Sequence, residues 1–484
     1  MHKNNTSNET YIMDLFRHSS DIFVEKHHLF SQIKKEQMLV FYCNGLIDHN
    51  LLINSILPDI QTNYYQNGLE GTENINSSMR LSWEENEDNF NDKLQEKIFN
   101  GYTGISIADT IYFFNTVNPP VRKTEESTTE VNIRGPRDAF VEDISSNMAL
   151  VRKRVKSNSL VSKTFTIGQR SQTQVQLIFL SDIQNDEIIH EVTNRLNAID
   201  IDFLNSDNQL LGLIGESNYS PFPLLQSISR PDGVVSSLAR GRFAILVDNV
   251  PNALIAPANL GLLLHTSEDE HSPYYYVTFE LMLRLIGLIL SIFLPAFWVS
   301  LSAFNMDQIP LPLLATIASS RIGIPFNTTL ELLLMIGLFE LFREAGVRLP
   351  KAVGQTVAVV GGLVVGDAAI RAGLTSPTML VISSITAVST FTLGNQALFG
   401  TVSLLRIGSI ILSSVFGMFG FFISVFLVLG HLAKLESFGI PYLSPVSPFV
   451  KKDFLKAITK YPTSKQNERA KILRPLDKDR QGDK

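Results

Sequence analysis

Long stretches without charged residues constrain this chain more than any other feature. Beyond Val277 the sequence contains Leu285–Phe304, Ala372–Leu405 and Ile407–Gly430, and none of these stretches holds Asp, Glu, Lys or Arg. About 20 apolar residues in a helix cross the ~30 Å hydrocarbon core of a bilayer. Because lipid satisfies no backbone polar group, such segments must be helical. The sequence therefore predicts an all-α multipass membrane domain over 277–433, with four to five spanning helices.

A glycine-rich stretch within this domain, Glu344–Asp367, has the spacing of a close helix contact. A charged loop containing Pro350 leads into uncharged residues 352–366, where small residues recur every fourth position. Small residues let membrane helices approach closely. The helix-packing candidates are Gly354, Ala358, Gly362 and Gly366. The alternative interpretation is an ordinary buried glycine-rich helix.

A second stripe on the same predicted helix has the composition of a pore lining. Its members, at steps of four, three and four, are Thr356, Val360, Leu363 and Asp367. If several copies surround an axis, Val360 and Leu363 form an apolar constriction and Asp367 forms a carboxylate ring that favours cations. The alternative is that the apolar pair packs against lipid or a helix and that Asp367 pairs with Arg371.

Charged residues inside the predicted membrane domain form a third group of candidates. Glu331 and Glu340 lie in the apolar stretch 322–342, and Arg343 follows directly after it. Intramembrane charges are costly, and they usually face the protein interior or a partner. Glu340 and Arg343 are one helical turn apart, so we expect them to pair.

The first half of the chain has the pattern of a soluble α+β or α/β region in two subdomains. Residues 1–30 form a polar lead-in, and subdomains are predicted over 31–130 and 135–265 from alternating strand and helix patterns. In the second subdomain an amphipathic helix is predicted over Pro136–Val155. A hairpin is predicted around Asp248–Pro251, where turn residues separate two apolar runs.

The charge distribution separates the C-terminal tail from the rest. Residues 434–484 contain 12 Lys and Arg against 6 Asp and Glu, so the tail carries +6 within a chain of net charge −6. A basic tail suits a position beside anionic lipid, or it is a solvated disordered segment. The positive-inside tendency places it on the cytoplasmic side, which requires an even number of spans. We therefore expect four full spans and one segment that crosses incompletely.

Signatures of enzymes and cofactor sites are missing from the sequence. There is one cysteine, Cys43, so no internal disulfide can form, and the histidines lack metal-ligand spacing. No glycine-rich phosphate loop follows a strand. We expect no catalytic, cofactor or metal site and no nucleic-acid partner. This disfavours a membrane-bound enzyme.

Several motifs resemble the A subunit of the GerA-type spore germinant receptor family. The matching stretches are GPRDAFVEDISSNMALVRKRVKS (135–157), ARGRFAILVDNVPNALIAP (239–257), LPAFWVSLSAFN (294–305), 344–367 and SFGIPYLSPVSP (437–448). The resemblance covers most of residues 135–450. It implies a multipass protein of the bacterial cell membrane, in the inner membrane of the endospore.

The same resemblance implies partners and a function. The partners are a permease-like B subunit, a lipoprotein C subunit, membrane lipid and further copies of the chain. The function is a germination response to nutrients such as amino acids, sugars and potassium, with the A subunit oligomerising as a cation-release channel. A secondary transporter of small solutes or ions is the alternative, although we find no inverted repeat of the kind that transporters carry.

Overall fold

The computed structural model forms two compact units. It describes residues 5–17, 19–30, 35–73, 77–83, 87–108, 110–118, 135–217, 220–348, 365–462, 464 and 466–480. Unit 1 comprises Met1–Asn218, Leu225–Pro257 and Thr463–Lys484. Unit 2 comprises Tyr219–Leu224 and Ala258–Pro462.

The first half of unit 1 is a five-stranded antiparallel sheet in the order β1-β2-β4-β5-β3. Its strands are β1 (Ile22–Phe30), β2 (Lys35–Cys43), β3 (Met79–Ser82), β4 (Tyr102–Ile107) and β5 (Thr110–Asn115). Its helices are α1 (Asn5–Leu15), α2 (His49–Leu51), a π-helical turn (Leu52–Ile56), α3 (Leu57–Glu73) and α4 (Glu87–Phe99).

Both faces of this sheet are buried, as the inner strand β2 shows. Leu39, Phe41 and Cys43 belong to one core cluster, whereas Met38, Val40 and Tyr42 belong to another. Side chains of a strand alternate between the two faces, so a run of apolar residues serves both. The predicted polar lead-in is part of this body, because α1 buries Ile12 and β1 pairs with β2 along its whole length.

The second half of unit 1 repeats the same strand order. Its sheet, also antiparallel, runs β6-β7-β9-β10-β8. Its strands are β6 (Leu160–Ile167), β7 (Thr173–Leu180), β8 (Gln226–Ile228), β9 (Phe243–Val247) and β10 (Ala253–Ala256). Its helices are α5 (Ile144–Arg152), α6 (Asp186–Asn197), α7 (Asp207–Ile214) and α8 (Pro231–Ala239). Unit 1 is therefore two copies of one ββαβαββ arrangement.

Local chemistry shortens one predicted helix and forms one predicted hairpin. The helix expected over Pro136–Val155 begins at Ile144, because Asp143 caps it by accepting a hydrogen bond from the backbone N–H of Ser146 at 2.7 Å. The turn at Asp248–Pro251 joins β9 to β10 as expected, with Asn249 in the left-handed region at φ 64°.

A buried ion pair joins the two halves of unit 1. Arg152 in α5 reaches Asp21, just before β1, with its Nε and Nη2 each 2.8 Å from a carboxylate oxygen. The side chains are 0% and 3% exposed. The guanidinium also donates to the carbonyls of Ser157 and Leu160 and lies 4.6 Å above the Phe99 ring. All its donors therefore point at partners that fix the two sheets together.

Unit 2 is built from helices. They are α9 (Leu260–Leu264), α10 (Tyr274–Phe304), α11 (Leu311–Ser320), α12 (Thr328–Arg348), α13 (Gly366–Arg371), α14 (Pro377–Phe391), α15 (Ala397–Lys434) and α16 (Lys451–Ile458). Short 3₁₀ turns lie at Ser267–His271 and Met306–Gln308, with another in unit 1 at Lys471–Leu473, and β11 (Glu436–Ser437) pairs with β12 (Ile440–Pro441). This confirms the predicted fold class, an α/β region of two sheets followed by an all-helical region.

Two of the described helices, α10 and α15, are long and apolar enough to cross a membrane. The helices α11 and α14 are apolar but shorter, and α12 carries Glu331, Glu340 and Arg343. The membrane domain with four to five spanning helices therefore remains a prediction.

Helix α15 reverses direction at Gly417, in the middle of the predicted helix Ile407–Gly430. Gly417 has φ 59° and ψ −137°, a conformation that glycine alone adopts readily. A Cβ on Gly420 would lie 2.0 Å from the carbonyl oxygen of Leu412, although eight residues of straight helix span about 12 Å. Residues 397–416 and 418–434 are therefore two helices folded against each other, because a backbone preference interrupts an otherwise helical apolar run.

Candidate functional site

One polar cluster inside unit 2 is built around a carboxylate that two arginines share. We define the shared-carboxylate cluster as Glu340, Arg343, Ser403 and Arg406. Glu340 Oε2 lies 2.5 Å from Arg343 Nη2, and its Oε1 lies 3.1 Å from Arg406 Nη1. Ser403 donates its hydroxyl to the same Oε1 at 2.7 Å. The pairing of Glu340 with Arg343 expected from the sequence is present, and Arg406 joins it from α15.

Four helices position Arg406. It projects from α15, donates from Nε to the backbone carbonyl of Ser291 in α10 at 2.7 Å, and donates from Nη2 to the Thr390 hydroxyl of α14 at 2.6 Å. Its third contact is Glu340 on α12. A rigid planar guanidinium suits such a position, because its donors point in fixed directions.

The charges of this cluster do not balance. Two guanidiniums face one carboxylate, which leaves a net charge of +1 among apolar helices. The side chains of Glu340 and Arg343 are 24% and 22% exposed, whereas Arg406 is 4% exposed. The cluster is therefore sealed at Arg406 and open at the edge formed by α12. The four residues of the cluster thus carry one more positive than negative charge at this partly exposed edge.

Glu331, the other predicted intramembrane acid, is fully buried at 0% exposure. Its Oε1 accepts from the backbone N–H and hydroxyl of Ser376, at 2.6 Å and 2.5 Å, and so it caps the first turn of α14. Its Oε2 lies 3.7 Å from Arg321 Nε and has no hydrogen-bond donor among the residues that the structure describes. Glu331, in α12, therefore holds the start of α14 against α12.

Most of the predicted pore and packing residues lie outside the described residues. These are Gly354, Thr356, Ala358, Val360, Gly362 and Leu363. Of the remaining two, Asp367 is 2.8 Å from Arg371, and both side chains are largely exposed. Gly366 is buried, and a Cβ on it would lie 3.2 Å from Leu380 in α14. The Asp367–Arg371 pair is the alternative foreseen from the sequence, whereas Gly366 has the close contact expected of a packing position.

A second ionic cluster lies where the chain leads into α10. Asp269 accepts from both Nη atoms of Arg284, at 2.8 Å and 3.0 Å, and lies 3.2 Å from His265 Nδ1. Burial alone raises the pKa of Asp269, but hydrogen bonds from His265 and Arg284 outweigh it and hold that pKa well below its usual range. Lys460, from the C-terminal tail, donates to the carbonyls of Asp269 and Ser272. This cluster holds the tail against the start of α10.

Sequence reasoning missed Arg406, although the sequence contained a signal for it. Arg406 is the single charged residue between the uncharged stretches Ala372–Leu405 and Ile407–Gly430. An isolated charge between such stretches needs a buried partner, and Glu340 was the available acid. By contrast, no sequence pattern indicates that Arg152 meets Asp21, because 131 residues separate them.

In the ranges that the structure covers, no group of three or more His, Cys, Asp or Glu side chains is placed to hold a metal ion. The clusters above contain ion pairs and hydroxyls without a nucleophile and base arranged for catalysis. Their geometry fits structural and electrostatic roles.

Comparison with known proteins identifies the family. Residues 10–472 match the family described as Bacillus/Clostridium GerA spore germination protein. Spore germination protein XA of Bacillus anthracis is 40% identical over 477 residues, which cover 98% of this chain and 97% of that protein. The chain belongs to the GerA family.

One further relative and one solved structure are similar to this chain. Spore germination protein KA of Bacillus subtilis is 33% identical over 467 residues, covering 96% of this chain and 86% of that protein. The crystal structure of the N-terminal domain of the A subunit of the Bacillus megaterium spore germinant receptor GerK3 is 27% identical, with a TM-score of 0.38, and covers 52% of this chain and 94% of that one. The resemblance to GerA-type A subunits is confirmed, and the chain is a spore germination protein of a family that is not known for enzymes.

Proposed function

We propose that this GerA-family chain is the A subunit of a nutrient germinant receptor in the inner membrane of a bacterial endospore. The observation that carries the proposal is the family match over residues 10–472, which spans both the sheet unit and the helical unit. Its partners are a permease-like B subunit, a lipoprotein C subunit and further copies of the same chain. Nutrients such as amino acids, sugars and potassium trigger the response.

The helical unit supports a multipass membrane domain. Helices α10 and α15 have the length and apolar composition of spans, and their outward faces expose large apolar residues such as Ile289, Val415 and Phe426. Residues that a bilayer covers carry side chains of this kind. Because α15 folds back at Gly417, it supplies two passes.

The ends of unit 2 support an even number of crossings. Leu260, before α10, donates its backbone N–H to the carbonyl of Tyr442, after α15, at 3.0 Å. Ala258 likewise donates to the hydroxyl of Ser437 at 3.1 Å. The chain therefore arrives at the helices and leaves them at one place, which supports a tail on the same side of the membrane as the N-terminal region.

For the channel, we propose that copies of the chain surround an axis lined by the stripe Thr356, Val360, Leu363 and Asp367, with Gly354, Ala358, Gly362 and Gly366 packed on neighbours. The close contact of Gly366 with Leu380 supports a packed glycine face. Val360→Ala widens the apolar constriction and should give nutrient-independent cation release from spores. Asp367→Asn should lower cation flux without preventing assembly. Unchanged, strictly nutrient-dependent release in both variants assigns the pore to another helix.

The experiment that tests the function is deletion of the gene for this chain, followed by germination assays over single nutrients and mixtures. We expect loss of the response to at least one nutrient condition and its return on complementation. Flux in proteoliposomes separates the channel from a secondary transporter. Cation leak without stoichiometric exchange supports the channel, whereas saturable counterflow supports the transporter.

A further inference from the structure

The C-terminal segment beside the start of α10 has a surface that the proposed receptor function does not use. We define the tail surface as the exposed apolar side chains of Val446, Phe449 and Leu455 together with the exposed side chain of Lys451. The three apolar residues are 53%, 64% and 43% exposed. An exposed apolar group interleaved with basic residues is typical of an interaction site rather than a solvated surface.

Hydrogen bonds hold this segment in place. Asn259 donates its side-chain amide to the carbonyl of Ser444 at 3.0 Å, which anchors the chain before Val446. After α16, the backbone N–H of Lys460 donates to the hydroxyl of Thr278 at 3.1 Å, and its ammonium donates to the carbonyl of Ser272 at 3.1 Å. The tail surface is therefore presented beside the first turns of α10 and is fixed at both ends.

The orientation of α16 leaves Lys451 and Leu455 outward. Asp453 points inward at 3% exposure, while Lys451 and Leu455 are exposed. The Phe449 and Phe454 rings pack with centroids 5.4 Å apart. Segment 449–460 contains four lysines and one aspartate, so it carries +3. The outward face thus combines apolar area with positive charge.

The start of α10 marks the level at which this face lies. Tyr274, Tyr275 and Tyr276 are 47%, 67% and 50% exposed, and the exposed residues that follow along α10 are mostly apolar. Exposed tyrosines at the end of a spanning helix lie at the membrane–water interface. The tail surface is bound to this end of the helix through Thr278 and Ser272, so it lies at the headgroup level.

We propose that the tail surface docks on anionic phospholipid headgroups, with Phe449 and Leu455 inserted at the interface and Lys451 facing the lipid charge. An amphipathic segment with these residue types binds an anionic membrane surface in this way. The inference rests on the proposed function, because it requires α10 to span the membrane. It makes the tail a lipid-sensing element attached to the first membrane helix.

The test uses the full chain in proteoliposomes, in a Cys43→Ala background. A fluorophore is placed at Leu455→Cys, and bilayers of phosphatidylglycerol with phosphatidylcholine are compared with phosphatidylcholine alone. Quenching by a lipid-attached nitroxide is compared with quenching by iodide in water. We expect nitroxide quenching at Leu455→Cys to be strong in the anionic bilayer and weak in the neutral one. Lys451→Gln should lower the docked-to-undocked ratio about fivefold.

Two matched labels separate the possible failures. Ile289→Cys, on the exposed face of α10, reports membrane insertion, and Phe203→Cys, an exposed apolar position in unit 1, reports a water-exposed label. Nitroxide quenching at Ile289→Cys with iodide quenching alone at Leu455→Cys overturns the docking while the membrane assignment stands. Iodide quenching alone at both positions overturns the membrane assignment as well. Protection of Leu455→Cys that requires added receptor subunits assigns the surface to a protein partner and overturns the lipid proposal.

Discussion

Each unit of this chain buries an arginine, and the two sites differ in charge balance and in access. In unit 1, Arg152 faces one carboxylate, Asp21, and both side chains are almost completely buried. In unit 2, Arg406 shares Glu340 with a second arginine, Arg343, and the acid is 24% exposed. The first pair is neutral and closed, whereas the second cluster is positive and open at one edge.

The difference indicates which of the two sites can respond to a nearby charge and which has only a structural role. A neutral, closed pair has no uncompensated charge that a distant event can act on, so its role is to fix two sheets. A positive cluster that joins four helices responds to any negative group brought to its open edge. Breaking the first should therefore unfold unit 1, while changing the second should alter how the helices respond. The predictions below test this contrast.

The largest effect is expected for Arg152→Met, which leaves the Asp21 carboxylate buried without its cation. Removing one partner of a buried pair costs about 3–5 kcal/mol. The free energy of unfolding is measured by urea titration of the full chain in detergent and is followed by the fluorescence of Trp83. This residue packs against the core cluster that contains Leu39, Phe41 and Cys43. Trp298→Phe removes the signal of the one other tryptophan.

The matched control is the double variant Asp21→Asn with Arg152→Met. It removes both charges, so it should recover a large part of the stability that the single variant loses. A loss below about 1 kcal/mol for Arg152→Met, in the range of exposed pairs, shows that water reaches this site and removes the contrast between the two units.

An intermediate loss of stability is expected at the shared-carboxylate cluster, and its size depends on which charge is removed. Glu340→Gln leaves two guanidiniums close together without an acid, one of them buried, and should destabilise the helices by about 1–3 kcal/mol. Arg343→Gln leaves a balanced pair of Glu340 and Arg406, so it should cost less than about 1 kcal/mol. Both are measured as thermal unfolding of the full chain in detergent, followed by the far-ultraviolet helix signal.

Germination assays of the same variants test this comparison further. If the extra positive charge is used in the response, Arg343→Gln should change the nutrient concentration for half-maximal germination while the level of the protein in spores stays normal. Equal losses of stability for Glu340→Gln and Arg343→Gln contradict the charge imbalance described here. Arg343→Lys keeps the charge and serves as the control.

The sequence predicted these two sites unequally, for a physical reason. Glu340 and Arg343 lie one turn apart on a single helix, so local periodicity suffices to pair them. Arg406 and Arg152 find their acids through tertiary packing, which no local pattern records. The same limit applies to Gly417: glycines abound in this region, and only the structure, through its positive φ and its packing against Phe304, distinguishes the one that reverses the chain. The duplicated strand order was equally invisible, because each strand is defined by its apolar alternation and not by its partner.

The smallest effect concerns Cys43, which reports whether the Arg152–Asp21 pair is closed to water. Its Sγ lies 3.5 Å from Asp21 Oδ2, and its side chain is fully buried. Burial, together with the nearby charge of Asp21, raises the pKa of the Cys43 thiol well above its ordinary value of 9.0. In the unfolded chain the thiol ionises near 9.0, whereas in the folded chain it keeps its proton. Stability is therefore fully present below pH 9 and falls as the pH rises beyond it.

For a single proton this fall is at most about 1.4 kcal/mol per pH unit. We compare urea titrations of the parent chain and Cys43→Ala between pH 8 and pH 10, so that contributions from other groups cancel in the difference. The parent should lose stability more steeply. A maleimide should label Cys43 in the native chain only at the rate of unfolding, and Arg152→Met should accelerate that labelling. Equal pH slopes in the two chains, or rapid native labelling, mean that the site around Asp21 is open to water and that the unit 1 pair is not closed.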